Sequence, residues 1–116
     1  MIYVTKNTLN TFALTLTEST TISNPTYLFK FTWEMDETLP PVYFIGTDIS
    51  AYPFRANIFE MTDGDVLLGA DVNLKIGQYR YNVYESPITN PVDETGLDQV
   101  EEGRMVVEGV GTTIYD

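Results

Sequence analysis

An all-β antiparallel sandwich of about seven strands is the fold this sequence predicts. Three observations carry that expectation. Apolar residues recur at every second position in several stretches, the period of a half-buried strand. Glycine and proline punctuate the chain between those stretches. No segment shows sustained helical periodicity, internal repetition or low complexity.

The elements follow in order. Residues 2–5 read as a short strand or an arm, with Ile2 and Val4 alternating against Tyr3. After the polar turn Asn7–Asn10 comes a strand over Thr11–Thr17, with Phe12, Leu14 and Leu16 facing one way and threonines on the wet side. Glu18–Asn24 is a Ser/Thr-rich loop ending at Pro25. Tyr27–Trp33 is the second strong strand, its Tyr27, Phe29, Phe31 and Trp33 opposite Lys30, Thr32 and Glu34. Phe29 and Phe31 belong in the centre of the core, each burying roughly 150–250 Å². Trp33 either ends that core face or stands on the rim of a binding surface.

Asp36–Pro41 is a turn whose two prolines prevent helix. Val42–Ile45 reads as a short strand closed by Gly46, and Thr47–Phe54 as a connection carrying aromatics. Arg55–Met61 is a further strand with Asn57, Phe59 and Met61 on one side. Asp63-Gly64 is a hairpin signal, returning through Val66–Leu68 to Gly69.

The stretch Leu74–Glu85 organises the rest. Tyr79, Tyr81 and Val83 share one face of a strand, and Arg80, Asn82 and Tyr84 the other. Leu74, Gly77 and Tyr79 reproduce the L-x-x-G-x-Y spacing of the corner before strand F in immunoglobulin-like sandwiches, where a tyrosine hydroxyl bonds back to upstream backbone. Gly77 permits the positive φ such a corner needs. Tyr81 stands where antibody domains carry a cysteine. The plainer alternative is an aromatic-rich strand after a glycine turn. Either way these residues are scaffold.

Ser86–Glu102 is a long, acidic, proline-containing connection of the kind that is often functional. Gly103–Gly109 resumes as a last strand with Met105 and Val107 inward, and residues 110–116 form a β-prone tail. The two ends, residues 1–6 and 110–116, either pair with a neighbouring subunit's sheet edge or fray. The expected organisation is one sandwich domain over residues 1–116.

Composition narrows the function. The chain has neither cysteine nor histidine, which removes disulfides, zinc-thiolate sites and the commonest general base. A formal charge of −11, from six basic and seventeen acidic residues, opposes binding to nucleic acid and to anionic membranes. The N-terminus lacks the pattern of a secretory signal, so synthesis in the cytoplasm is expected. Asp63, Asp65 and Asp71 lie close in sequence, but without the spacing of a calcium loop an ordinary hairpin turn is the alternative. No catalytic constellation stands out, and no cofactor, metal or small-molecule substrate is expected. Tyr43, Tyr52 and Tyr84 are candidate partner-binding aromatics, for stacking on a glycan or for cross-strand packing.

Across nearly its full length the chain resembles the small immunoglobulin-like virion proteins of tailed bacteriophages, especially crAss-like phages and their relatives. The likeness lies in Asn10-Thr11 leading into Leu14 and Leu16, in Tyr27–Phe31, in Gly77–Glu85 and in Glu102-Gly103 before the last strand. It implies a non-enzymatic structural component of a virion, foremost an auxiliary capsid protein binding the major capsid protein. The alternative is a tail, baseplate or adhesion module that binds a host receptor or glycan.

Overall fold

Alternating apolar side chains find an inside only when two sheets face each other, and this chain builds two of unequal size. The structure is a computed structural model describing residues 2–16, 20, 25–36, 38–46, 48–49, 56–88, 91 and 93–109. Among these residues seven strands form: β1 (Ile2–Thr5), β2 (Leu9–Leu14), β3 (Thr26–Trp33), β4 (Val42–Gly46), β5 (Asn57–Thr62), β6 (Gly77–Ser86) and β7 (Asp98–Glu108). The larger sheet has the order β1-β7-β6-β3-β4, and β2 pairs with β5 in a separate two-stranded sheet. The larger sheet curls as a half-barrel over the smaller one.

The core lies between them. Phe12, Leu14, Leu16, Phe59 and Met61 from the small sheet's side meet Tyr27, Phe29, Phe31, Tyr79, Tyr81 and Val83 from the large one, all buried. Phe29 is the hub. Its ring lies 5.0 Å from Phe59 in an edge-to-face contact, 5.7 Å from Phe12 and 5.5 Å from Phe44. Such ring pairs add about 0.5–1.5 kcal/mol each beyond their buried area. Tyr81 crosses over Gly103, its strand partner, so closely that a Cβ there would sit 2.7 Å from the ring.

The structure corrects several expectations. The large sheet is mixed, because β1 runs parallel to β7, with Ile2 opposite Met105 and Val4 opposite Val107. The turn after β1 explains this. Asn7 adopts φ 57°, and the buried Asn10 side chain accepts from Thr5 N–H and donates to the Thr5 and Thr8 carbonyls. The chain therefore steps from one sheet to the other between Thr5 and Leu9, so the second strand begins at Leu9, earlier than the periodicity suggested.

Asp63-Gly64 does not form a hairpin, and Val66–Leu68 is not a strand but a single 3₁₀ turn. The final strands are longer than expected: β6 runs to Ser86 and β7 begins at Asp98, which shortens the connection to residues 87–97. On the face opposite the core, Leu28 is also fully buried, between Tyr84 and Ile45 on the neighbouring strands. Arg55, Tyr52 and the tail 110–116 lie outside the described residues.

Candidate functional site

The start of β6 shapes one end of the molecule. The Lys75 backbone N–H donates to the Tyr79 hydroxyl at 2.7 Å, so the phenol reaches back four residues along the chain. Burial pushes the Tyr79 hydroxyl pKa up, with the Lys75 bond opposing it. Gly77 sits at φ 139°, and a Cβ there would lie 2.8 Å from Trp33 Nε1. Glycine is required at this position for both reasons. Leu74 is buried beneath, its N–H given to Asp63 Oδ1 at 2.8 Å.

Asp63 ties this corner to the N-terminal turn. It is 1% exposed, and its other oxygen accepts from Asn7 N–H at 3.0 Å and from the Lys6 ammonium at 2.9 Å. Lys6 gives its remaining donors to Asn73 Oδ1 and to the Leu74 carbonyl. The three aspartates weighed for calcium thus have separate tasks. Asp65 caps the 3₁₀ turn through Leu67 N–H, and Asp71 accepts from Thr62 N–H. Among the described residues no three histidine, cysteine or acidic side chains are grouped to hold a metal.

Two surface features result. The first is an apolar cleft of about 220 Å³, walled by Phe31, Trp33, Leu39, Pro40, Val42 and Tyr79, with Asn73 and Lys75 also lining it. Lys75 Nζ lies 5.7 Å from the Trp33 ring centre, a cation–π contact. Trp33 is half-buried and packs on the core edge, so it both closes the core and lines the cleft.

The second feature is the 3₁₀ turn itself. Leu67 is 93% exposed, Leu68 86% and Val66 52%. The backbone beneath is held by several bonds: Leu68 N–H to Asp65 O, Gly69 N–H to Val66 O, Asp71 N–H to Thr62 O and Gly64 N–H to Val72 O. Gly69 stops the turn at φ 102°.

Two of the candidate tyrosines, Tyr43 and Tyr84, lie elsewhere, on the outer face of the large sheet. Tyr43 and Tyr84 are half-buried there. The Tyr43 hydroxyl donates to Glu94 Oε1 at 2.6 Å, and Lys30 pairs with the other Glu94 oxygen at 2.5 Å. Glu94 is therefore fastened over β3 and β4. The Lys30 bond, then that of Tyr43, lowers the Glu94 carboxyl pKa to about 2. Burial, with Glu94 adding to it, raises Tyr43 to about 12. Tyr43 and Tyr84 share this face with the Glu94 clasp and do not stand as an open pair, while Tyr52 is outside the described residues.

The sequence-predicted scaffold residues Leu74, Tyr79, Tyr81, Phe29 and Phe31 are all buried around the core, and Gly77 holds the corner. Sequence reasoning missed the outward-facing Leu67 and Leu68. Asp65 and Gly69 bracketing three apolar residues is a cap-and-stop pattern that marks such a turn. Among the described residues no helix is long and apolar enough to cross a membrane. No protein-family model, curated protein or solved structure matches this chain.

Proposed function

We propose that this chain is a non-enzymatic, immunoglobulin-like structural protein of a tailed-phage virion, an auxiliary capsid protein that binds the major capsid protein after synthesis in the host cytoplasm. The observation that carries the attachment reading is the strand order, which leaves β1 and β4 at the two edges of the large sheet. Both edges carry exposed apolar side chains, Tyr3 at 64% and Ile45 at 39%. A sheet edge offers backbone donors and acceptors to an added strand, and side chains beside it give selectivity.

The same order supports the immunoglobulin-like part. β7-β6-β3-β4 follows the G-F-C-C′ sequence of such domains, and β2 pairs β5 as strand B pairs E. The Tyr79–Lys75 bond falls at the start of the strand in the F place. The phage assignment is supported by the resemblance carried in Tyr27–Phe31 and Gly77–Glu85. A glycan-binding role has less support, because the Tyr43 hydroxyl is committed to Glu94.

Purified protein should co-sediment with assembled capsids of the phage that encodes it. Absence of co-sedimentation in low salt, where electrostatic attraction to a basic patch is greatest, would overturn the capsid assignment.

A further inference from the structure

We propose that this chain associates with a second copy of itself head to tail, the Val66–Leu68 turn of one copy seated in the Trp33–Tyr79 cleft of the next. This holds whether or not the chain docks on a capsid. The turn is a ready-made plug. Its leucines point outward at 93% and 86% exposure on a backbone already held by the Leu68, Gly69 and Asp71 N–H bonds, so little backbone ordering remains to be paid on binding.

The cleft is a fitting socket. Its walls are apolar and aromatic, and an apolar space of about 150 Å³ already holds benzene. At about 220 Å³ it takes a leucyl side chain with room beside it. A copy's own turn does not occupy its own cleft, given the exposure of Leu67.

Charge selects the orientation. Lys6, Lys30 and Arg104 each have a carboxylate partner, in Asp63, Glu94 and Glu34. Among the described residues Lys75 has only the Trp33 ring. The plug is flanked by Asp65 and Asp71, both exposed. Seating it sets those acids beside the cation at the socket. Net repulsion between copies at −11 each acts over longer distances and is screened beyond about 8 Å at physiological ionic strength. With one plug seated in one socket per contact, the proposed contact is heterologous and propagates into rings or open chains.

Sedimentation of the full chain from about 10 μM to about 1 mM tests this. The wild type should show concentration-dependent species larger than a monomer. Leu67→Ser with Leu68→Ser should weaken association about tenfold or more, with an unchanged melting temperature because both side chains are exposed. Lys75→Glu, which keeps the backbone N–H used by Tyr79, should weaken it similarly. Mixing the two variants leaves one intact plug and one intact socket, so dimers should reappear and grow no further. A wild type monomeric throughout, association indifferent to either variant, or a mixture that stays monomeric would each overturn the proposal. So would leucine-dependent flotation of a monomer with neutral phosphatidylcholine vesicles, which would assign the turn to lipid.

Discussion

Asp63 is the residue whose removal should cost this fold most for a single polar group. Its carboxylate accepts from Leu74 N–H at 2.8 Å, Asn7 N–H at 3.0 Å and the Lys6 ammonium at 2.9 Å, and the side chain is fully enclosed. Asp63→Ala leaves two backbone donors unsatisfied and an ammonium without its counter-charge. Each orphaned donor costs about 1–3 kcal/mol, and breaking a buried pair about 3–5 kcal/mol. These figures overlap and do not add. Lys6 keeps 17% side-chain exposure and regains some water, so about 3–4 kcal/mol is the expected loss. For a chain of 116 residues this lowers Tm by roughly 12–16 °C. Urea denaturation followed by circular dichroism gives the free energy directly. Lys6→Met in the Asp63→Ala background should then cost much less than in wild type, a coupling of about 1–3 kcal/mol. A loss below about 1 kcal/mol, the range of surface ion pairs, with no coupling would refute the claim that this carboxylate holds the N-terminal turn to the β6 corner.

Three further outcomes are expected. Tyr79→Phe leaves the Lys75 N–H without its acceptor and should lower stability by about 1–2 kcal/mol in chemical denaturation, with the fold unchanged by circular dichroism. Gly77→Ala combines an unfavourable φ of 139° with a 2.8 Å approach to the indole. It should cost about 1–3 kcal/mol and shift the emission of Trp33, the chain's one tryptophan. Glu94→Gln tests the clasp on the outer face. The wild-type carboxyl is lowered from 4.5 to about 2, so its stabilisation is fully present above pH 4.5 and fades as pH falls toward 2. Because the pair lies at the surface and keeps 25% and 30% side-chain exposure, solvent screens it and the difference should be about 1 kcal/mol at pH 7. Wild-type and variant melting curves should converge between pH 4.5 and 2, and a constant gap across that window would dismiss the clasp.

Strand positions were legible because their signal is local. Phe12, Leu14 and Leu16, or Tyr79, Tyr81 and Val83, carry their own period of two, and burial follows it. Legibility ended where the deciding partner is distant in sequence. Asp-Gly at 63–64 is a local hairpin signal, but here the aspartate's side chain is held by Lys6, Asn7 and Leu74, which lie outside that signal. Leu28 falls on the outward phase of β3, yet it is buried on a face over which Glu94 fastens a remote connection. Nothing local to Ile2–Thr5 announces a parallel partner. The candidate site was the least legible part, since its cleft joins side chains from the end of β3, the Leu39-Pro40 turn and the β6 corner.

The pairing of Ile2 with Met105 also bears on how the molecule is made. β1 is synthesised about a hundred residues before the strand it pairs with, so it leaves the ribosome well ahead of β7. Until β7 is released, Ile2 and Val4 have no sheet to join, and the half-barrel stays open on that side. Pairing over so long a stretch of chain raises contact order and slows folding. Closure should therefore be a late step that waits for β7, and a nascent chain stalled before residue 98 should present an unpaired β1 to any protease or chaperone within reach.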